Sequence, residues 1–127
     1  MLRITIMSIL LLLTNSSIAV NLKEYTDAKQ YWERTKDKPE YQSYLAEFIQ
    51  FNNHFKLDSK DGCSALAEDP VEMMLIITHQ DNSKFAVIER VFTSAQNAKA
   101  RCYEKSYIGV PTKIPPYLPF VIQMNMQ

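Results

Sequence analysis

The hydrophobic period changes partway along this chain. Between Pro39 and Phe55 apolar residues fall at Tyr41, Tyr44, Leu45, Phe48, Phe51 and Phe55, in steps of three and four that line one side of a helix. Glu40, Gln42, Ser43, Glu47, Gln50 and Asn53 take the other side. From Val71 the pattern is extended. VEMMLIITH carries β-branched and apolar residues at both parities, as a strand does when it is covered on at least one face and largely on the other. Helices first and a sheet after specify an α+β domain.

The remaining segments fill in the order. Leu22, Tyr25, Ala28 and Trp32 mark a first helix up to about Lys36, and DKPE breaks it, with Pro39 suited to the first position of the second helix. Together these predict a helical hairpin over 22–56 with one apolar face. After VEMMLIITH, DNSK is a turn and FAVIERVF a second strand. SAQNAKARCYEKSYIG predicts a third helix, with Ser94 as N-cap and Gly109 as left-handed C-cap. Ala95, Ala98 and Cys102 share one of its faces, which predicts an inward-looking Cys102. A loop, VPTKIPPYLP, leads to FVIQMNMQ, where Phe120, Ile122, Met124 and Met126 alternate with Val121, Gln123, Asn125 and Gln127. Such alternation predicts a strand with one wet face, at a sheet edge. The expected domain is a hairpin of helices and then a β-β-α-β unit, with a mainly antiparallel sheet of about three strands.

The first nineteen residues read differently. Arg3, an apolar run from Ile4 to Leu13 and small residues at Ser17 and Ala19 have the layout of a secretory signal peptide, with cleavage expected after Ala19. The run is about half the roughly 20 residues needed to cross a bilayer, so no stable membrane anchor is expected after cleavage. Residues 20–127 then form a single periplasmic or secreted domain of 108 residues. The chain has 14 Lys+Arg and 14 Asp+Glu; loss of Arg3 leaves 13 against 14, with the signs interleaved. That balance gives nothing to attract a polyanion, and nucleic acid is not an expected partner.

Export bears on the two cysteines, Cys63 and Cys102. An isolated even pair in an oxidising compartment usually forms a bridge, and closing a loop of about 40 residues would remove roughly 4 kcal/mol of unfolded-state entropy. Cys63 ends KLDSKDGC, which admits three readings: a metal loop, a reactive thiol, or a turn ending in a staple. A calcium loop needs oxygen ligands at alternate positions before its glycine. Asp61 fits, Ser59 is weak, Leu57 is wrong, and no glutamate follows at the right distance. A reactive thiol needs a base. His54 lies near a helix end and His79 ends a strand, and neither has partners at zinc-ligand spacing. No G-x-S-x-G or phosphate loop occurs. The expectation is a binding protein, not an enzyme, with no catalytic residues, cofactor or metal. Of the tyrosines, Tyr103, Tyr107 and Tyr117 are least explained by periodicity and are candidates for surface contacts.

The segment VEMMLIITHQDNSKFAVIERVFTSAQNAKARCYEKSYIGVPTKIPPYLPFVIQMNM, residues 71–126, resembles the C-terminal domain shared by TonB-type proteins and the last domain of TolA. Those domains pair two strands through a short turn, cross the sheet with a helix, pass a proline-containing loop and end in a strand. TolA-type domains also carry a cysteine before the hairpin and one in the following helix, matching Cys63 and Cys102, although the separation here is longer. The TonB and TolA proteins have an uncleaved anchor and a long spacer; the cleavable signal expected here, with no such spacer in the sequence, argues against energy transduction. The resemblance implies a free-standing periplasmic domain that binds another envelope protein, possible partners being recruited by a strand added at a sheet edge. The expected contact residues are Tyr117, Gln123 and Asn125. The alternative is a secreted inhibitor or immunity-type protein that blocks a toxin or lytic enzyme through loops such as IPPYLP.

Overall fold

Met73 to Ile77 are five successive strand residues, each no more than 1% exposed. A strand buried at every position needs cover on both faces, and the fold is arranged around this requirement. The computed structural model describes residues 21–54, 62–66 and 69–126, with the side chains of 52–54 and 64 left aside. The expected signal peptide, Phe55, the KLDSKD part of the turn and the His54 side chain therefore lie outside the described residues.

The elements are α1 (Tyr25–Thr35), α2 (Pro39–His54), a short 3-10 turn (Cys63–Ala65), β1 (Val71–Thr78), β2 (Ala86–Thr93), α3 (Ala98–Tyr107), β3 (Pro111–Thr112) and β4 (Phe120–Met126). The fold is α+β, with a four-stranded antiparallel sheet in the order β3-β2-β1-β4. The fourth strand is the two-residue β3, drawn from a segment whose prolines read as loop.

The two N-terminal helices do not share one apolar face. They straddle the sheet. Met73, Leu75 and Ile77 of β1 join Phe120 and Ile122 in a core with Tyr41, Tyr44 and Phe48 of α2 and Ala100, Tyr103 and Tyr107 of α3. Met74 and Ile76, on the opposite face, pack with Ala28 and Tyr31 of α1, with Leu22 and with Val121. The chain passes from one face to the other beside β4. There the Trp32 indole donates to the Tyr41 hydroxyl at 2.8 Å, and Tyr41 stacks on Phe120 with centroids 5.3 Å apart.

The third helix begins later than its sequence suggests. Asn97 is the N-cap, its side chain accepting from the Ala100 amide at 2.8 Å. Ser94 is drawn into the sheet instead: its amide donates to the Glu72 carbonyl at 2.9 Å, and its hydroxyl accepts from the Glu72 amide at 3.0 Å. Gly109 has the expected left-handed conformation, φ 85°. Ala100, Tyr103 and Tyr107 form the buried stripe of α3, so Tyr103 and Tyr107 are core residues, 1% and 4% exposed. Cys63 and Cys102 are bonded, with Cα atoms 5.3 Å apart, tying the 3-10 turn to α3.

Candidate partner-binding site

The sheet has two outer edges, and their openness differs. Of the expected contact residues, Gln123 and Asn125 lie together on β4 and Tyr117 lies before it. Asn125 is exposed, and its side-chain oxygen accepts from the Gln123 amide group at 2.8 Å. Gln123 is half-buried. Burial raises the Tyr41 pKa above the ordinary tyrosine value, and hydrogen bonds from the Trp32 indole and the Gln123 backbone pull it partly back. The Trp32–Tyr41 pair thus lies against β4, with Tyr41 stacked on Phe120 and close to Gln123.

Tyr117 stands in the loop before β4. Its ring packs on Phe120 at 5.0 Å, and the Lys38 ammonium lies 4.9 Å from its centroid. Its hydroxyl is buried without a partner in hydrogen-bond geometry, while the Thr35 hydroxyl nearby donates to the Tyr31 carbonyl at 3.1 Å. Two other tyrosines fix this loop. Tyr44 donates to the Lys113 carbonyl at 2.6 Å and Tyr31 to the Pro119 carbonyl at 2.7 Å. Between these anchors Ile114 and Leu118 are each about half exposed.

Glu72 joins α1 to the sheet. Its carboxylate accepts from the Tyr25 hydroxyl and pairs with the Lys29 ammonium at 3.0 Å. Desolvation alone would raise its pKa; hydrogen bonds from Tyr25, Lys29 and Gln123 outweigh that and hold it below the ordinary 4.5. A carboxyl lowered in the folded state adds stability that is complete above its unfolded value and is lost as pH falls through the folded one. Glu72→Gln is therefore expected to flatten the acid side of the stability profile just below pH 4.5, while changing its shape near neutrality little. Urea midpoints measured between pH 3 and 7 check this; parallel profiles for the two proteins would contradict it.

The β2 edge is the more open. β3 covers only Ala86 and Val87, and the loop before it covers Ile88, whose amide donates to the Val110 carbonyl at 3.0 Å and whose carbonyl accepts from the Gly109 amide at 2.8 Å. At the next residue the register shifts: Ile77 faces Ile88 and Ile76 faces Arg90, so Glu89 is the extra residue of a β-bulge. From Glu89 to Thr93 no strand lies outside β2 among the described residues. Because Ser94 hydrogen-bonds toward β1, antiparallel alternation turns the Thr93 N–H and C=O outward. A cleft of about 520 Å³ runs along this stretch, bordered by the start of α1 on one side and by Glu104 and Ile108 on the other.

None of these cleft residues stands out in the sequence. They come together only through the placement of α1 and α3, and the sole local signal is the Glu89-Arg90 charge pair inside a strand pattern. His79 lies in the β1–β2 turn, with Nε2 2.8 Å from the Ser83 carbonyl. Among the described residues no group of three His, Cys, Asp or Glu side chains is placed to hold a metal, and no helix is long and apolar enough to cross a membrane. Comparison with protein-family models, curated proteins and solved structures finds no match.

Proposed function

We propose that this is an exported, disulfide-stapled binding domain of the cell envelope that takes up an extended segment of a partner protein along the open part of β2. The observation that carries the reading is the cleft beside Arg90–Thr93, where backbone groups of a sheet edge face a space large enough for a short strand. In strand addition, main-chain hydrogen bonds give affinity and flanking side chains give selectivity. Two further points support it. The Cys63–Cys102 bond suits an oxidising compartment, and the β-β-α-β order underlies the resemblance to TonB and TolA C-terminal domains. The β4 edge is the lesser candidate, because Trp32 and Tyr41 flank it at Gln123.

A second reading has its own observation. The loop from Lys113 to Pro119 is held at both ends by tyrosine hydroxyls and presents Ile114 and Leu118 outward. A preorganised loop loses little entropy on binding, as an inhibitor of a toxin or lytic enzyme requires.

One experiment separates these. A photo-crosslinking side chain is placed at Gln96, Asn125 or Leu118 in exported protein, and adducts are identified by mass spectrometry. The expected result is one dominant partner from Gln96, lost when Thr93→Pro removes an outward N–H without altering thermal unfolding. An adduct that survives Thr93→Pro, or none from Gln96, overturns the β2 reading. A dominant adduct from Asn125 moves the site to β4, and one from Leu118 favours the inhibitor.

A further inference from the structure

The two walls of the β2 cleft differ in charge, and this selects the partner. Side chains directly opposite on paired strands point to the same face, so Arg90, opposite Ile76, lies on the α1 side, where Phe92 also packs. That wall brings Lys23 and Arg90 against a single carboxylate, Glu24. The other wall, below α3, brings Glu104 beside the half-exposed Ile108 and the buried Val91. Among the described residues Lys23, Arg90 and Glu104 are in no ion pair. Arg90 lies 5.2 Å from the centroid of the Phe92 ring, a place that leaves its guanidinium charge unneutralised. The walls thus carry net charges of opposite sign, one positive and one negative.

A strand laid between them sends successive side chains to opposite walls. We infer that the occupant is an extended peptide segment of alternating charge, with acidic residues at i and i+2 toward Arg90 and Lys23, and basic residues at i+1 and i+3 toward Glu104. This rests on the strand-addition reading and deepens it. A segment with like charges in adjacent positions would put one of each pair on the wrong wall, which like-charge juxtaposition disfavours.

The test uses two blocked synthetic peptides of one composition, Val-Asp-Lys-Asp-Lys-Val and Val-Asp-Asp-Lys-Lys-Val, titrated into the exported protein at low salt while the backbone amides are followed by NMR. The first is expected to shift the amides of Glu89 to Thr93 and to bind about fivefold more tightly than the second, the effect of two exposed ion pairs. Arg90→Glu should remove that preference. Adding Glu104→Lys to it should restore it, because the reversed walls accept the same peptide moved by one residue. Both substituted side chains lie at the cleft surface, and thermal unfolding verifies the fold. Equal binding of the two peptides, or a preference unchanged by Arg90→Glu, overturns the charge selection and leaves strand addition standing. If neither peptide shifts those amides, strand addition at β2 fails as well.

Discussion

Replacing Cys63 and Cys102 together by alanine is expected to lower the unfolding free energy by about 4 kcal/mol and the midpoint temperature by on the order of 15 °C. The estimate follows from the sequence separation of 39 between the bonded residues, which fixes how much freedom the bond removes from the unfolded chain. In a domain whose whole stability is about 5–15 kcal/mol, such a loss approaches unfolding. Urea denaturation of the wild type and the double variant measures it. A difference under about 1 kcal/mol would mean that the unfolded chain keeps the two positions close without the bond. The effect also bears on binding. Cys102 lies on α3, the helix that carries Glu104, so releasing the 3-10 turn from α3 removes a support from one wall of the β2 cleft.

Phe120→Ala should cost about as much, roughly 4 kcal/mol, for a different reason. The ring is fully buried and meets three tyrosines: Tyr44 at 4.5 Å, Tyr117 at 5.0 Å and Tyr41 at 5.3 Å between centroids. Its loss leaves a cavity under α2 and removes the surface on which Tyr41 and Tyr117 rest, so the loop before β4 loosens with the core. Phe120→Leu keeps most of the volume and is expected to cost about 1.5 kcal/mol or less. Denaturant titration of both variants decides. Equal losses would show that ring shape, rather than filled volume, sets the stability of this end of the sheet.

Much of the fold can be read from hydrophobic period alone, since α2, β1, β2 and β4 each carry a consistent pattern of their own. The burial of β1 on both faces is visible in its unbroken apolar run, Met73 to Ile77. Which side of the sheet each helix covers is not visible. Both α1 and α2 carry an apolar stripe, and the chain passes between the two faces at the Trp32–Tyr41 contact around β4, a pairing of two aromatics nine residues apart. Ser94 and Asn97 are both competent caps; the choice fell to Asn97 because β2 runs on to Thr93 and Ser94 is taken by Glu72. Tyr103 and Tyr107 escaped the sequence reading because its stripe followed Ala95, Ala98 and Cys102, whereas the buried one follows Ala100. The cleft was the least legible feature. Its walls come from residues 23 to 26, 90 to 93, Gln96, Glu104 and Ile108, and only tertiary packing aligns them.

The position of β4 also orders events in time. The central strand β1 gains its second neighbour only from residues 120–126, and the passage between the two helices closes on that same strand. During synthesis α1, α2, β1 and β2 are all made before the segment that lets their apolar faces come together. Because β1 and β4 are far apart along the chain, their pairing carries a loop-closure cost that local contacts do not repay. Until the last strand arrives, the earlier segments have no complete sheet to pack against, and the chain stays open. An open chain is the form that a secretion channel can thread, so for the exported protein proposed above the same feature that delays folding would favour passage.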